Sequence, residues 1–459
     1  MSRSRRPNVL VIMTDQHSAT AMSCAGNTDV ATPAIDSLAE SGIRFRRAYC
    51  ASPLCAPSRA SMMTGRLPSQ LGMDDNVAVP STPFPDRCMG RIFAEAGYDC
   101  AYAGKWHVPG AVHYRSGDHG GPANQGVASG FTEIFSGGHE GLAQACANFL
   151  ADPARQDKPF LLVASFNEPH GICEWARGQT PPSGEVDDVD WRELPVLPPN
   201  FAAGSEEPEA LRLVQKYAWN VHPTQQWGAE QWRRYRYAYF RLVERVDAEI
   251  AALLSALSAA GLGDDTLIVL TADHGDMQGA HGWNQKKNLY EESAGVPFIV
   301  VPPAGATSAG IRDELVSVGL DLLPTLCDYA DIPGEPDWLG SSVRPLVEQQ
   351  SDDARPEVRE HVVSETQWMY GGLMPPPAMA YLIARMLRTP RYKYVCYSWG
   401  RHREQLYDLS QDPGEMINLA TSGAHQDVLA DHRRRLAGHC DEVGDPFRRY
   451  VPAPGVAPR

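Results

Sequence analysis

The chain has 459 residues, enough for two or three domains at roughly 150 residues each. Hydrophobic residues make up 43% of it and charged residues 21%, a globular composition that excludes global disorder. Asp and Glu outnumber Lys and Arg by 56 to 41, and the net charge of −15 argues against binding of nucleic acid or anionic lipid through the overall electrostatic field. A local basic pocket is compatible with this charge.

The N-terminal segment lacks the pattern of a secretory signal. Arginines precede the apolar run at 8–13, which is too short for a signal peptide and ends in Thr-Asp. Nowhere does the sequence contain 18 consecutive apolar residues, so we expect no transmembrane helix. We therefore expect a cytoplasmic protein that does not bind membranes.

Short apolar runs alternate with helical patterns along the first two thirds of the chain. Continuous apolar runs predict strands that are covered on both faces, and three- and four-residue spacing predicts helices. In chain order we expect a strand at 9–13, helices at 32–41, 60–64 and 88–96, strands at 98–103 and 160–166, a long helix at 231–262, and strands at 266–271 and 297–301. This alternation predicts an α/β fold with a large, mostly parallel sheet flanked by helices.

Two segments rich in proline and acidic residues interrupt the pattern. Residues 178–210 predict a long surface excursion, and residues 331–356 predict a linker. Beyond the linker, closely spaced strand patterns and one helical pattern predict a small antiparallel sheet covered by a helix. The strands are expected at 361–364, 381–386, 392–397 and 405–409, and the helix at 426–439. We therefore divide the chain into an α/β domain of residues 1–350 and a smaller α+β domain of residues 351–459.

Ten cysteines are scattered along the chain and none forms a Cys-x-x-Cys pair, which argues against a zinc ribbon. Their density is far below that of a disulfide scaffold, so we expect free, buried thiols in a reducing compartment. Cys55 is the exception, because it begins the string Cys-Ala-Pro-Ser-Arg that ends at Arg59. The N–H groups at the start of the helix that follows, together with the permanent charge of Arg59, suit an anion. A structural thiol, or a disulfide with Cys50, is the alternative.

Polar residues follow two of the predicted strands. Asp15 and Gln16 end the first strand, and Asp273 and His274 follow the strand at 266–271. Ligands bind at the carboxyl ends of strands in open α/β sheets. Two carboxylates, an amide oxygen and an imidazole suit one divalent cation. Each aspartate alone is more simply interpreted as a helix cap or turn residue, and the repetition within one sheet favours a metal site.

Together, these motifs resemble the type I, formylglycine-dependent sulfatases of the alkaline phosphatase superfamily. The Cys-Ala-Pro-Ser-Arg string is similar to that family's defining motif. The resemblance extends over nearly the whole chain, into the C-terminal strand patterns. It includes Gly-Lys-Trp-His at 104–107, Pro-His at 169–170, Asp-His-Gly-Asp at 273–276, and the segment from His281 through Lys286 to Tyr290.

The resemblance implies a modified residue and a metal. Cys55 is expected to be oxidised to formylglycine by a formylglycine-generating enzyme, and the hydrated residue attacks the sulfur of a sulfate monoester. One divalent cation is expected to be held by residue 55 and the strand-end residues, namely Asp15, Gln16, Asp273 and His274. Calcium is the first choice because the ligands are mainly oxygens, and the imidazole leaves Mg²⁺ and Mn²⁺ open.

The resemblance also implies a role for each remaining site residue. Arg59 is expected to orient the hydroxyls of residue 55, and Lys105 and Lys286 to neutralise the sulfate oxygens. His107 is expected to act as the base that releases sulfate. His170, with Lys286, is expected to protonate the leaving alcohol. Asp276 and His281 are expected to support these groups from behind.

The sequence departs from the family at two positions. Gln16 and His274 stand where many members carry Asp and Asn, so the metal ligands supply two negative charges rather than three. Both variants occur in the superfamily, including among phosphonate monoester hydrolases.

We therefore expect a sulfatase acting on a small organic sulfate or a sulfated sugar, with a phosphonate monoester or phosphodiester hydrolase as the alternative. A non-catalytic binding protein on the same scaffold is disfavoured, because none of the catalytic residues is lost. Candidate pocket walls are Trp175, Arg177, His222, Trp368 and Arg401.

Overall fold

The computed structural model describes residues 6–76, 87–108, 129–137, 140–217, 224, 226–304, 309–348, 358–369 and 381–457. Within these ranges, no helix combines the length and the apolar character that crossing a membrane requires. Of the candidate pocket residues, His222 lies outside the described part of the chain.

The described residues form two sheets and the helices that pack on them. The strands are β1 (Asn8–Asp15), β2 (Ile43–Tyr49), β3 (Asp99–Gly104), β4 (Thr132–Phe135), β5 (Phe160–Pro169), β6 (Thr266–Ala272), β7 (Phe298–Val301), β8 (Gly310–Ser317), β9 (Val362–Met369), β10 (Tyr381–Arg388), β11 (Tyr392–Tyr397) and β12 (Glu404–Asp408). The helices are α1 (Pro33–Ser41), α2 (Cys55–Thr64), α3 (Pro68–Leu71), α4 (Met89–Glu95), α5 (Leu142–Leu150), α6 (Ile172–Ala176), α7 (Glu209–Tyr217), α8 (Ala229–Ala259), α9 (Glu291–Ala294), α10 (Val318–Tyr329), α11 (Arg344–Glu348) and α12 (Gln426–Val443).

The large sheet has eight strands in the order β4-β3-β5-β1-β6-β7-β2-β8. Its neighbouring strands are parallel except at β7, which runs antiparallel to both β6 and β2. The prediction of a large, mostly parallel sheet is therefore confirmed. A strand that returns beside its predecessor needs no helical crossover, and only one-turn helices lie between β6 and β7.

Strand β1 lies at the centre of this sheet and is buried along its whole length. Its residues alternate between two cores, as the two-residue period of a strand requires. Val9 and Val11 belong to the core that contains residues of α2, α4 and α10. Leu10 and Ile12 belong to the core that contains residues of α1, α5 and α8. Because both faces are covered, the polar residues at the end of β1 are held in a water-poor environment.

The second sheet is antiparallel, with strand order β12-β11-β10-β9, and α12 follows it. This confirms the predicted C-terminal architecture. One face of the sheet packs with α12 around Leu387 and Leu406. The other face packs against the first domain, where Leu382 and Met386 share a core with Trp283.

The expected linker at 331–356 is wrong for residues 343–348. Val343, Leu346 and Val347 are buried in the core of the large sheet, and 344–348 form α11. Proline and acidic content alone did not reveal these apolar anchors. Residues 349–357 lie outside the described ranges, so the proposed boundary at 350 stays a prediction. The surface segment expected at 178–210 agrees more closely with the structure, because residues 178–208 contain no helix or strand.

Candidate active site

Two carboxylates meet at the carboxyl ends of the central strands. In the register of β1 and β6, Thr14 lies opposite Ala272, so that Asp15 and Asp273 follow next to each other. The Asp273 N–H donates to the carbonyl oxygen of Thr14 at 3.3 Å. Both aspartates are completely buried. The two aspartates thus lie together at the carboxyl ends of β1 and β6, as their positions in the sequence indicate.

Helix α2 brings a thiol to the same point. Cys55 is its first residue, five positions before the start expected from the sequence. Pro57 lies in the first helical turn, where the missing N–H of a proline costs no helical hydrogen bond. The helix ends at Gly65, whose φ of 69° is left-handed. The Ala56 N–H, left without an acceptor within the helix, donates to Asn76 Oδ1 at 3.0 Å.

Four side chains form a compact, fully buried cluster of possible metal ligands. One ligand atom from each of Asp15, Cys55, Asp273 and His274 lies within 4.8 Å of the others. Cys55 Sγ is 3.1 Å from His274 Nε2 and 3.8 Å from Asp15 Oδ1. The other imidazole nitrogen, Nδ1, is 2.9 Å from the carbonyl oxygen of Gly275. A proton on Nδ1 would leave the lone pair of Nε2 facing the cluster.

Arg59 joins the two carboxylates. Its Nε donates to Asp273 Oδ2 at 2.7 Å, and its Nη2 donates to Asp15 Oδ2 at 2.9 Å. Its Nη1 donates to the Lys105 carbonyl oxygen and to Ser165 Oγ. Each carboxylate thus keeps Oδ1 turned away from the guanidinium. Burial opposes the charge of Arg59, but the two aspartates outweigh it and raise its pKa further.

Two lysines converge on the cluster from different segments. Lys105 Nζ lies 2.8 Å from Asp15 Oδ2, and Lys286 Nζ lies 3.1 Å from Cys55 Sγ. Lys287 instead pairs with Asp75 at 2.9 Å, and its φ of 78° is left-handed. The choice of Lys286 over its neighbour therefore agrees with the geometry. These cations supply the local basic pocket that an acidic chain still allows.

Two histidines complete the surroundings of Cys55. Both His107 and His170 hydrogen-bond to its side chain. Burial and the charge of Lys105 lower the pKa of His107. Burial, Lys105 and Lys286 lower the pKa of His170 well below its usual 6.5. At neutral pH both imidazoles are therefore uncharged and able to accept a proton.

The electrostatics at Cys55 favour an anion. Burial and the Asp15 carboxylate oppose ionisation of the thiol. Lys286, Lys105 and His274 outweigh them, and the pKa of the thiol falls well below 9.0. All ten cysteines are free, so the alternative disulfide with Cys50 is excluded. An ordinary buried thiol would have a raised pKa, as Cys146 does, at about 12.

Gln16 stands beside the cluster with a left-handed backbone, at φ 65°. Its N–H donates to Asp273 Oδ1 at 3.1 Å, and its carbonyl oxygen accepts from Tyr239 Oη at 2.8 Å. Its side-chain Nε2 donates to Asp276 at 2.7 Å, and its Oε1 accepts from the Cys173 thiol at 3.3 Å. Asp276 thus lies behind the site, as expected.

Three residues that hold this site together were not expected from the sequence. Asn76 accepts from the start of α2, Ser165 accepts from Arg59, and Cys173 donates to Gln16. None carries a motif, because each contact depends on how distant segments pass one another. His281, expected to act from behind, stacks on the Tyr290 ring at 3.8 Å between centroids.

The candidate pocket residues are spread over several environments. Arg401 is exposed and pairs with Glu209, and Arg177 lies 3.9 Å from Glu174. Trp368 is buried beneath Lys287, whose Nζ is 5.5 Å from the ring centroid. Trp175 is half-buried and packs edge-on against Trp227.

Comparison with protein families gives a direct assignment. The model described as "Sulfatase" matches residues 7–332, a span that contains the buried cluster and the lysines and histidines around it. The chain belongs to the sulfatase family. A second model, described as "N-sulphoglucosamine sulphohydrolase, C-terminal", matches residues 279–441 of this sulfatase. The expected sulfatase resemblance is confirmed, and the protein is a hydrolase of sulfate esters.

Individual relatives cover the sulfatase almost completely. A delta 4,5-hexuronate-2-O-sulfatase of Bacteroides thetaiotaomicron is 31% identical over 456 residues, which span 96% of this chain and 90% of that protein. The solved structure of a 2-O GAG sulfatase has a TM-score of 0.83 at 28% identity and covers 99% of this chain and 97% of its own. The phosphonate monoester hydrolase of Agrobacterium radiobacter shares the fold, with a TM-score of 0.73 at 22% identity over 95% of this chain and 96% of its own.

Proposed function

We propose that this sulfatase hydrolyses the sulfate monoester of a sugar, with residue 55 as nucleophile after its conversion from cysteine to formylglycine, and with one divalent cation beside it. One observation carries the proposal. The Cys55 sulfur lies 3.1 Å from the Lys286 ammonium and 3.1 Å from His274, and both His107 and His170 hydrogen-bond to it. A nucleophile, anion-binding cations and two neutral bases therefore share one buried point.

The donor set fits a divalent cation. Asp15 Oδ1 and Asp273 Oδ1 are turned away from the guanidinium of Arg59, and His274 Nε2 lies 4.0 and 3.6 Å from them. Two carboxylates, residue 55 and an imidazole would hold the ion, with the Gln16 amide oxygen as a further ligand. Calcium is proposed first because most of these donors are oxygens, and Mg²⁺ and Mn²⁺ are the alternatives. When bound, the cation would polarise the sulfate oxygens.

Residue 55 requires a maturation partner in this account. A formylglycine-generating enzyme would supply the aldehyde, whose hydrate offers one hydroxyl for attack on sulfur and a second for release of the product. The surroundings of residue 55 support its role as nucleophile. It is the first residue of α2, and the site lowers the pKa of the Cys55 thiol. We also propose that the protein is cytoplasmic.

The two lysines would bind the sulfate group. Lys286 already contacts the side chain of residue 55, and Lys105 contacts Asp15. Both are buried, so their interaction with charge developing on the sulfate oxygens is weakened little by water. Arg59 makes its hydrogen bonds to the carboxylates, to Ser165 and to a backbone carbonyl. We therefore propose that it acts on residue 55 by fixing the carboxylates.

The two histidines would divide the proton transfers. His170 is partly exposed, with 14% of its side chain accessible, whereas His107 is buried. The leaving alcohol must face solvent in order to depart, which supports His170, with Lys286, as its proton donor. Besides burial, the charges of Lys105 and Lys286 lower the pKa of His170, and a bound sulfate would offset these charges, so that the imidazole could hold the proton that it donates. His107 would then accept the proton from the second hydroxyl of residue 55 during sulfate release.

The substrate class is tested by direct comparison of esters. The assay uses full-length sulfatase co-produced with a formylglycine-generating enzyme, and Cys55→Ala as the control for background hydrolysis. The named activity of the 31%-identical relative places a 2-O-sulfated unsaturated uronate first in the panel. A sulfated hexosamine, nitrophenyl sulfate, choline sulfate and a phosphonate monoester complete it. We expect the highest kcat/KM on a sulfated sugar. A higher kcat/KM on the phosphonate monoester would overturn the proposed substrate class.

A further inference from the structure

The side-chain amide of Gln16 is held in one orientation by two partners of opposite character. Its Nε2 donates to Asp276 Oδ2 at 2.7 Å. Its Oε1 lies 3.3 Å from the Cys173 sulfur, whose single proton it shares with Gln285 Oε1 at 3.4 Å. An ionised carboxylate can only accept hydrogen bonds, so the amide nitrogen must face Asp276 and the oxygen must face the opposite way. No pattern in the sequence indicates this orientation.

Asp276 is itself fixed and completely buried. Its Oδ1 accepts from the Gln278 N–H at 2.8 Å, and its Oδ2 accepts from Tyr235 Oη at 2.8 Å as well as from Gln16. The Tyr235 oxygen in turn accepts from the Gln285 N–H at 3.2 Å. Two donors other than Gln16 therefore hold the carboxylate, so it can impose the orientation of the neighbouring amide.

The backbone of Gln16 is also held against the cluster. Its N–H donates to Asp273 Oδ1 at 3.1 Å, and its carbonyl oxygen accepts from Tyr239 Oη at 2.8 Å. The Tyr239 oxygen also accepts from the Ser18 N–H. The left-handed φ of 65° at Gln16 is therefore stabilised from both sides. Only the side-chain torsions and the direction of the amide remain to be set, and Asp276 sets that direction.

We propose that Asp276 is a positioning residue, which turns the Gln16 oxygen towards the divalent cation and polarises the amide through its N–H group. This inference rests on the cation site of the proposed function. It adds the reason why the neutral amide of Gln16 can act as a ligand of the cation. The oxygen of an amide has two lone pairs, so the contact with Cys173 leaves one for the ion. A carboxylate behind a ligand typically increases its affinity for the metal. The negative charge missing from residue 16 is thus supplied from behind it.

The test is an isosteric exchange. In Asp276→Asn, the introduced amide nitrogen would face the Gln16 nitrogen, so Gln16 would turn and present N–H groups to the cation. In the double variant Gln16→Glu/Asp276→Asn, the amide introduced at position 276 would donate to the carboxylate introduced at position 16, and a carboxylate oxygen would again face the cation. Neither exchange alters the side-chain length, and the double exchange restores the net charge. Tyr394→Phe is the matched control, because it removes a buried hydrogen bond from a tyrosine to a carboxylate, that of Glu404 in the antiparallel sheet, away from the cation site.

The readout is the calcium dissociation constant of the full-length chain. The protein is stripped with a chelator and titrated with calcium against a fluorescent indicator. We expect Asp276→Asn to weaken calcium binding about 10- to 100-fold, and both the double variant and Tyr394→Phe to bind near the wild-type value. Unchanged affinity in Asp276→Asn, or a double variant as weak as the single one, would overturn the inference. If Asp276→Asn does not fold, the affinity of the double variant decides by the same criterion. If the wild type binds no calcium, the proposed cation site fails first, which is a separate result.

Discussion

Removal of the Arg59 guanidinium tests how the buried charges of the site are balanced. In Arg59→Ala, the oxygens of Asp15 and Asp273 that now accept at 2.9 and 2.7 Å lose their donor. Breaking a buried ion pair by removing one partner costs about 3–5 kcal/mol, because the remaining charge is buried without compensation. An unfolding entropy of about 2.1 cal/mol/K per residue is typical. For a chain of 459 residues, the melting temperature should therefore fall by about 3–5 °C.

Calorimetry also distinguishes a charge imbalance at the site from a general loss of stability. Differential scanning calorimetry is run on each variant with a chelator and with saturating calcium. A bound cation would replace part of the missing positive charge, so the fall in melting temperature of Arg59→Ala should be smaller with calcium than with the chelator. The control is Arg433→Ala, which removes an equally buried guanidinium from Glu404 in the C-terminal domain. The melting temperature of Arg433→Ala should fall by the same amount with the chelator and with calcium. An Arg59→Ala protein as stable as the wild type in chelator, or a loss unaffected by calcium, would refute the reasoning.

Three further outcomes are expected. His170→Ala should slow hydrolysis of a sugar sulfate by about 10²–10⁴-fold, and that of nitrophenyl sulfate far less, because a phenolate leaves without a proton. Equal losses in kcat on the two substrates would remove His170 from the leaving-group role. His107→Ala should give a burst of alcohol followed by slow turnover, with sulfate retained on the protein, as measured by rapid quench and intact mass. A mutant with no burst and no retained sulfate would contradict this role. His439 is half-buried near His361, and burial and this neighbour lower its pKa to about 4. The unfolded chain takes up this proton as the pH falls below about 6.5, whereas the folded chain resists until about pH 4. The free energy of unfolding therefore decreases over that window. His439→Gln should reduce the difference in urea-derived stability between pH 7 and pH 5 by about 2 kcal/mol. An unchanged difference would show that His439 titrates normally.

The buried centre of the fold could be predicted because its sequence signal is local. Strands β1, β5 and β6 are continuous apolar runs, and each was expected within a few residues of its observed bounds. Strand β2 was missed because Arg44, Arg46 and Arg47 interrupt its pattern. Arg46 is neutralised by Asp313 on the neighbouring strand β8, so the partner that makes this strand acceptable is distant in sequence. Helix α10 was missed as well, and it contains Pro324.

The reacting groups of the site could also be predicted, whereas the residues that hydrogen-bond to them and hold them in place could not. Cys55, His107 and Lys286 lie in motifs whose residue types state their chemistry. The contact of Cys173 with Gln16 joins α6 to the end of β1 across 157 positions of the sequence. Such a contact exists only once the chain has folded. The neutral Gln16 was noted as a departure from the family, but its orientation by Asp276 required the three-dimensional arrangement.

The chemical state of residue 55 decides whether a formylglycine is the nucleophile of this sulfatase. The peptide that contains it is analysed by mass spectrometry after production with and without a formylglycine-generating enzyme, and hydrolysis of a sulfated sugar is measured on the same samples. We expect loss of the thiol sulfur at residue 55 in the co-produced sample, with turnover proportional to the converted fraction. Full activity in a sample whose Cys55 is wholly unmodified would contradict it.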